Sequence, residues 1–250
     1  MGNIKFAIVG YGRMGKLVER VLNERGEKIV SIIDPAQGRP FKVDSLDDVD
    51  SAICFTSPDA GYETTKRILQ EGKDAVVGTT KFYLNTDGSI NQGMLDEFAE
   101  IANRNVSRMI YASNFSIGMN AFLKHLKPFA ETMAKLGYDV AVEERHHKNK
   151  EDISGTAKTI GSVLLEACQR GKMNFGDLER KREEDEITVA STRAGCIPGT
   201  HTVIFDSPVD TIELIHRVRK PEIFAQGAVD SAYWLKYHKL GVYSITDRLK

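Results

Sequence analysis

The sequence predicts an α/β fold: a doubly wound parallel sheet in the N-terminal part, then a second α+β domain with a mixed or antiparallel sheet. Three observations predict it. Short apolar runs alternate with helix-period segments from Ile4 to Ala112. The first run opens into a glycine-rich turn, "VGYGRMG". After Asn114 the alternation stops, and strand-like segments follow one another with few helices between them.

The elements follow in chain order. Ile4 to Val9 is an apolar run closed by glycine, and Met14, Leu17, Val18, Val21 and Leu22 then recur at helical spacing, with Gly26 to end the helix. Ile29 to Ile33 is a second strand, closed by Asp34-Pro35. Ala52 to Phe55 reads as a strand, Ala60 to Leu69 as a helix stopped by Gly72, and Ala75 to Val77 as a buried strand running into "GTT". Met94 to Ala102 is helical and Arg108 to Ala112 is a strand. A long helix then spans Gly118 to Lys135, and "YDVAVEE" alternates like a strand. Ala157, Ile160, Val163, Leu164, Ala167 and Cys168 form one helix face. Three strands fit between Glu186 and Arg219, broken at "GCIPGT" and "DSPVD", and Pro221 to Lys236 is a last helix. The mixed-charge run Asp177 to Glu186 reads as a solvated helix end or loop. No internal repeat or low-complexity segment stands out.

Composition excludes several classes. Lys plus Arg number 34 against 35 Asp plus Glu, so the formal charge of −1 gives no electrostatic case for a nucleic acid or an anionic membrane as partner. No apolar run approaches the roughly 20 residues of a membrane helix. The N-terminus enters a strand pattern directly, without a signal-peptide layout, and Phe6 spoils a myristoylation motif at Gly2. Cys54, Cys168 and Cys196 are isolated, which fits free thiols in a reducing cytoplasm.

Gly10, Gly12 and Gly15 have G-x-G-x-x-G spacing, between a strand and a helix. In such a turn the first glycine permits the bend, the second admits a pyrophosphate, and the third lets helix and strand pack closely. Tyr11, Arg13 and Met14 complete the loop, whose backbone N–H groups would meet the phosphates at the helix start. Asp34 lies 24 residues beyond Gly10, at the end of the second strand, where an acid binds the ribose hydroxyls. This is the pattern of a Rossmann-type unit for NADH. Arg39 and Lys42 follow closely and keep NADPH open. Gly78, Thr79 and Thr80, then Ala112, Ser113, Asn114, Phe115 and Ser116, sit where strands end and would line the nicotinamide pocket.

The stretch Glu143 to Lys158, "EERHHKNKEDISGTAK", carries the remaining chemistry. Adjacent His146 and His147 would point to opposite faces of a strand, without the spacing of a zinc site, so no metal is expected. No G-x-S-x-G elbow supports a serine hydrolase. A solvated basic loop is the plain reading. The sharper one is an anion cradle: Ser154-Gly155-Thr156 opens a helix whose N–H groups favour a carboxylate, with His147 and Lys150 adding charge and His146 able to move a proton. On a second domain facing a nicotinamide cleft, that makes a reductase of a small carboxylate.

The set "VGYGRMG", "GTT", "ASNFSIGMN", "ERHHKNKEDISGTA", "GTHTVIF" and "FAQGAV" resembles the 4-hydroxy-tetrahydrodipicolinate (dihydrodipicolinate) reductase family, in family order over nearly the whole chain. The resemblance implies a dinucleotide-binding domain of residues 1–114 and 223–250, and a substrate-binding and oligomerisation domain of 115–222. It implies NADH or NADPH as hydride donor, a small dicarboxylate substrate in the diaminopimelate route to lysine, a cytoplasmic homotetramer, and no nucleic-acid or membrane partner. By position, His146 and Lys150 match the acid/base pair. His147, Ser154, Gly155 and Thr156 match the carboxylate ligands, with Thr80 beside both substrate and cofactor. Asp152-Ile153-Ser154 is one residue shorter than the family's usual loop and lacks its proline. Another two-domain reductase of an imino or amino acid, or a non-catalytic NAD-sensing module, would also explain the glycine loop.

Overall fold

Residue parity along the first strand shows why its sheet is covered on both sides. In the computed structural model, which describes residues 4–85, 90–176 and 180–250, Phe6 and Ile8 of β1 (Lys5–Val9) enter one apolar core, and Ala7 and Val9 enter another. Alternate side chains of a strand point to opposite faces, so a strand apolar at every position from Phe6 to Val9 needs two covered faces.

The chain forms two compact units, Met1–Ile117 with Glu222–Lys250, and Gly118–Pro221. The first contains α1 (Arg13–Glu24), β2 (Lys28–Ile33), β3 (Ser51–Cys54), α2 (Pro58–Gln70), β4 (Asp74–Val77), α3 (Gln92–Arg104) and β5 (Arg108–Tyr111). Its sheet is wholly parallel, and a last short strand, Gly241–Ser244, pairs with β5 at one edge. From β1 the chain moves outward to β2, then returns past β1 to β3. The carboxyl ends of β1 and β3 therefore form the switch point where doubly wound sheets take ligands.

The second unit contains α4 (Ile117–Lys135, entered at the unit boundary), β6 (Asp139–His146), α5 (Gly155–Cys168), β7 (Lys172–Asn174), β8 (Glu186–Arg193), β9 (Thr200–Asp206) and β10 (Thr211–Arg217). The chain then returns to the first unit through α6 (Glu222–Lys236) and β11, the Gly241–Ser244 strand. Its sheet runs β10-β9-β6-β8-β7 and is mixed: β6 and β7 are parallel to β8, whereas β9 is antiparallel to β6 and β10. Val140, Val142, Val189, Val203 and Phe205 pack against Leu126, Ala130, Ile160 and Leu164 of α4 and α5. By strand parity the other face carries Ala141, Glu143, Arg145, Ile204 and Ile215.

The helices and longer strands lie where the apolar spacing placed them. Two strands were not anticipated, β7 and β11, of three and four residues. The mixed-charge run needs correction. Asp177 to Glu179 lie outside the described residues, but Glu186 opens β8 and is buried rather than solvated. Its carboxylate accepts bonds from Arg180 at 2.6 Å, the Glu183 N–H at 3.0 Å and Asn174 at 3.3 Å.

Candidate active site

The glycine loop shows which of its members the fold itself requires. Gly10 has φ +87°, and a Cβ there would fall 2.3 Å from the Phe55 carbonyl oxygen. A Cβ on Gly15 would fall 2.2 Å from the Gly10 carbonyl oxygen. Both glycines are needed for β1, β3 and α1 to approach. Gly12 is different: its φ is −75°, and a Cβ would meet nothing within 4 Å. Packing does not demand a glycine there, so the space it leaves fits a group outside the chain. Gly12 caps α1 without a side-chain bond, leaving the first N–H groups of the helix without intrahelical acceptors. This loop fits the pyrophosphate of a dinucleotide.

Asp34 ends β2 beside that loop. Its Oδ2 accepts bonds from the Tyr11 N–H at 2.7 Å and from Gln37 Nε2 at 2.9 Å, leaving Oδ1 for ribose hydroxyls. Arg39 lies over the Tyr11 ring at 4.3 Å, so a cation adjoins the acid. Arg13 is exposed and Met14 half-buried in the first turn of α1.

The two further loops are partly structural. Gly78 is needed because a Cβ would strike the Phe55 ring at 2.1 Å. The Thr79 hydroxyl accepts from the Thr56 N–H at 3.0 Å and donates to the Thr56 carbonyl at 3.1 Å, tying β4 to β3. Thr80 follows, half-buried, before a 3-10 turn. Ala112 and Phe115 are buried in the core, the latter edge-on to Phe55 with centroids 6.0 Å apart. Asn114 accepts the Ser116 N–H at 2.8 Å, and Ser113 is exposed. In this loop the outward-facing groups are Ser113, Asn114 and the backbone.

The second unit gathers its polar groups around a residue that the sequence alone does not single out. Glu144 sits at an inward position of β6, in line with Val140 and Val142, and is fully buried. Its carboxylate accepts from Arg193 Nη2 at 2.8 Å, Ser191 Oγ at 2.9 Å and the Ser154 N–H at 3.1 Å. Burial alone would raise its pKa, but the bonds from Ser154, Ser191 and Arg193 outweigh burial and hold it down to about 2. Glu144 pairs with Ser191 on one side and His201 on the other, and His201 pairs with His216. A polar row thus crosses an otherwise apolar sheet face.

Ser154 is the N-cap of α5, accepting the Ala157 N–H at 3.0 Å, and its Oγ lies 2.9 Å from His201 Nε2. Gly155 is exposed and Thr156 half-buried at the helix start. His146 ends β6 with Nε2 3.5 Å from Glu144 and its ring edge-on to His201. Gly199, at φ +154°, makes room for that ring, since a Cβ would fall 3.0 Å from His146 Cε1. Burial pushes the His146 pKa down; Glu144 opposes this, and Lys150 and Arg193 add to it. Burial and His146 lower His201 to about 4. Lys150 is half-buried in the loop after β6, its N–H on the His147 carbonyl at 3.1 Å. His147 lies just past the strand, outside the Glu144–His146–His201 cluster.

Ligand atoms of Glu144, His146 and His201 lie within 4.8 Å of one another. A cation there would have to displace the Arg193 guanidinium and the Ser154 N–H from Glu144, among further positive charge. The donor set suits a hydrogen-bonded acid/base centre better than a metal. Glu144, Ser191, Arg193 and His201 were not singled out from sequence. The one local signal was a charged residue at an inward strand position.

Two family models match the chain: "Dihydrodipicolinate reductase, N-terminus" over residues 4–115 and "Dihydrodipicolinate reductase, C-terminus" over 118–249. The 4-hydroxy-tetrahydrodipicolinate reductase of Christiangramia forsetii is 36% identical over 253 residues, covering 98% of each chain. The enzyme of the same name from Chromohalobacter salexigens is 33% identical, also covering 98% of each. Among solved structures, dipicolinate-bound dihydrodipicolinate reductase from Paenisporosarcina sp. TG-14 is similar in fold, with TM-score 0.77, 21% identity and full coverage of both chains.

Proposed function

This chain belongs to the dihydrodipicolinate reductase family, and from that premise we propose how its residues carry out the reaction. It reduces 4-hydroxy-tetrahydrodipicolinate to tetrahydrodipicolinate in diaminopimelate and lysine biosynthesis, with loss of water. The cofactor is NADH or NADPH. Gly10, Gly12 and the first turn of α1 hold its pyrophosphate, Asp34 its ribose, and the Gly78–Thr80 and Ala112–Phe115 loops its nicotinamide end. When bound, the dinucleotide supplies the hydride that reduces the ring.

The observation that carries the site assignment is the buried Glu144, which fixes the Ser154 helix start beside His146. The N–H groups of Gly155 and Thr156 bind one ring carboxylate, and His147 adds positive charge at the ligand. His146, kept neutral by burial, takes the ring C–H proton on the carbon next to C4 and passes a proton to the 4-hydroxyl, so that the C–H and C–O bonds break, a C=C bond forms and one water leaves. Lys150 donates the proton that completes reduction. A homotetramer is the assembly that the family resemblance implies. A cytoplasmic setting fits a chain in which, among the described residues, no helix is long and apolar enough to cross a membrane.

The test follows NADH absorbance while the preceding synthase generates substrate in place. Rapid bleaching that requires the substrate is the expected result. Tight NADH binding without bleaching would assign the chain to a sensing role instead.

A further inference from the structure

Arg193 ends β8, paired in register with His146. A guanidinium carries five N–H donors in a rigid plane. Here all five have acceptors. Nε donates to the Lys150 carbonyl at 2.9 Å. Nη2 donates to the Asp152 carbonyl at 2.9 Å and to Glu144 at 2.8 Å. Nη1 donates to the Thr192 carbonyl at 3.2 Å and to Ser191 Oγ. No donor is left for a substrate carboxylate, so Arg193 is not a binding cation.

What it holds is the irregular loop between β6 and α5. That loop carries Lys150. Without ladder bonds, such a loop has many conformations to lose. Arg193 fixes it at two carbonyls, Lys150 and Asp152. Glu144, bonded to the same guanidinium, fixes the N–H of Ser154, where the carboxylate-binding helix begins. The pair of buried Glu144 and half-buried Arg193 therefore secures the loop at Lys150, Asp152 and Ser154.

We propose that Arg193, tied to Glu144, is a positioning residue of the reductase reaction: it holds Lys150 at a fixed place relative to the helix start that anchors the substrate. This rests on the reading of Lys150 as proton donor. Misplacing a reacting group by about 1 Å costs on the order of 10²-fold in rate. Arg193→Ala should thus lower kcat by about 10²-fold and leave the KM for NADH unchanged. Added guanidinium ion should restore part of that loss, which a general fault in folding would not allow. In a Lys150→Ala background, Arg193→Ala should cost less than about threefold, because there is no longer a proton donor to misplace.

Should Arg193→Ala fail to fold, Arg193→Lys decides. It keeps the charge on Glu144 but cannot reach both carbonyls, and kcat should still fall roughly tenfold or more. Full kcat in the folded Ala variant, or in the Lys variant where Ala does not fold, overturns the proposal. So does an Arg193→Ala penalty that is undiminished beside Lys150→Ala. Absence of turnover in the unaltered protein sinks the reductase reading instead, and the two failures cannot be confused.

Discussion

At the scale of single residues, the site depends on groups held away from their ordinary charge states. His201 is lowered to about 4, from an ordinary value of 6.5, by burial and by His146. A folded pKa below the unfolded one means the unfolded chain takes up the proton first. The stability due to neutral His201 is therefore complete above pH 6.5 and lost as pH falls towards 4. Glu144 adds a second loss from its ordinary 4.5 down to about 2. Thermal unfolding against pH should show the first decline in the unaltered protein and lose it in His201→Gln; an unchanged decline in that variant would rule His201 out as its source. Lys150→Ala should depress kcat by ~10²–10⁴-fold, the usual worth of a positioned acid, with a smaller change in substrate KM. Ser154→Ala should do the reverse, raising substrate KM and costing about 1 kcal/mol of stability as a lost N-cap. Steady-state kinetics on the two variants separates these outcomes; matching, small effects would remove both roles. Of these residues, His146, Lys150 and Ser154 are candidates that type and spacing single out. Glu144 is not, because a carboxylate in a strand declares itself only once its neighbours Val140 and Val142 are known to face inward.

At the scale of elements, the β1–α1 turn separates what folding needs from what a ligand needs. Gly15→Ala forces a Cβ to 2.2 Å from the Gly10 carbonyl and should destabilise the first unit markedly. Gly12→Ala meets nothing within 4 Å, at a φ any residue adopts, and should leave the melting temperature almost unchanged. It should nonetheless weaken NADH binding about tenfold or more, equivalent to ~1.4 kcal/mol, by filling the phosphate approach. Fluorescence titration with NADH alongside melting curves tests this; unchanged affinity in Gly12→Ala would move the pyrophosphate elsewhere. This turn was readable in advance because its chemistry is local: strand, glycines, helix and acid lie within 30 consecutive positions. Strands β7 and β11 were not readable. β7 has only three residues and β11 opens on a glycine, too little to display a period of two, and each pairs along a neighbour that offers it an edge, β8 and β5.

At the scale of the whole molecule, the chain builds a two-sided core around one sheet and a one-sided core under another. Phe98 is fully buried in the first, and Phe98→Ala should cost ~3–5 kcal/mol by denaturant unfolding. Alternation of strands and helices announced the parallel sheet, and its loss after Asn114 announced the mixed one. Contacts between distant parts of the chain stayed hidden. Arg193 reaches the Lys150 carbonyl across 43 positions, and His201 reaches Ser154 across 47, and no local pattern records such meetings. The central claim is that a diacid ring is held at the α5 start with Lys150 able to protonate it. An experimental structure with NADH and a pyridine dicarboxylate bound tests it most directly. A carboxylate on the N–H groups of Gly155 and Thr156, with Lys150 Nζ in hydrogen-bond reach of the ring, is the predicted result. A ring bound elsewhere, with Lys150 and His146 turned away from it, would contradict the claim.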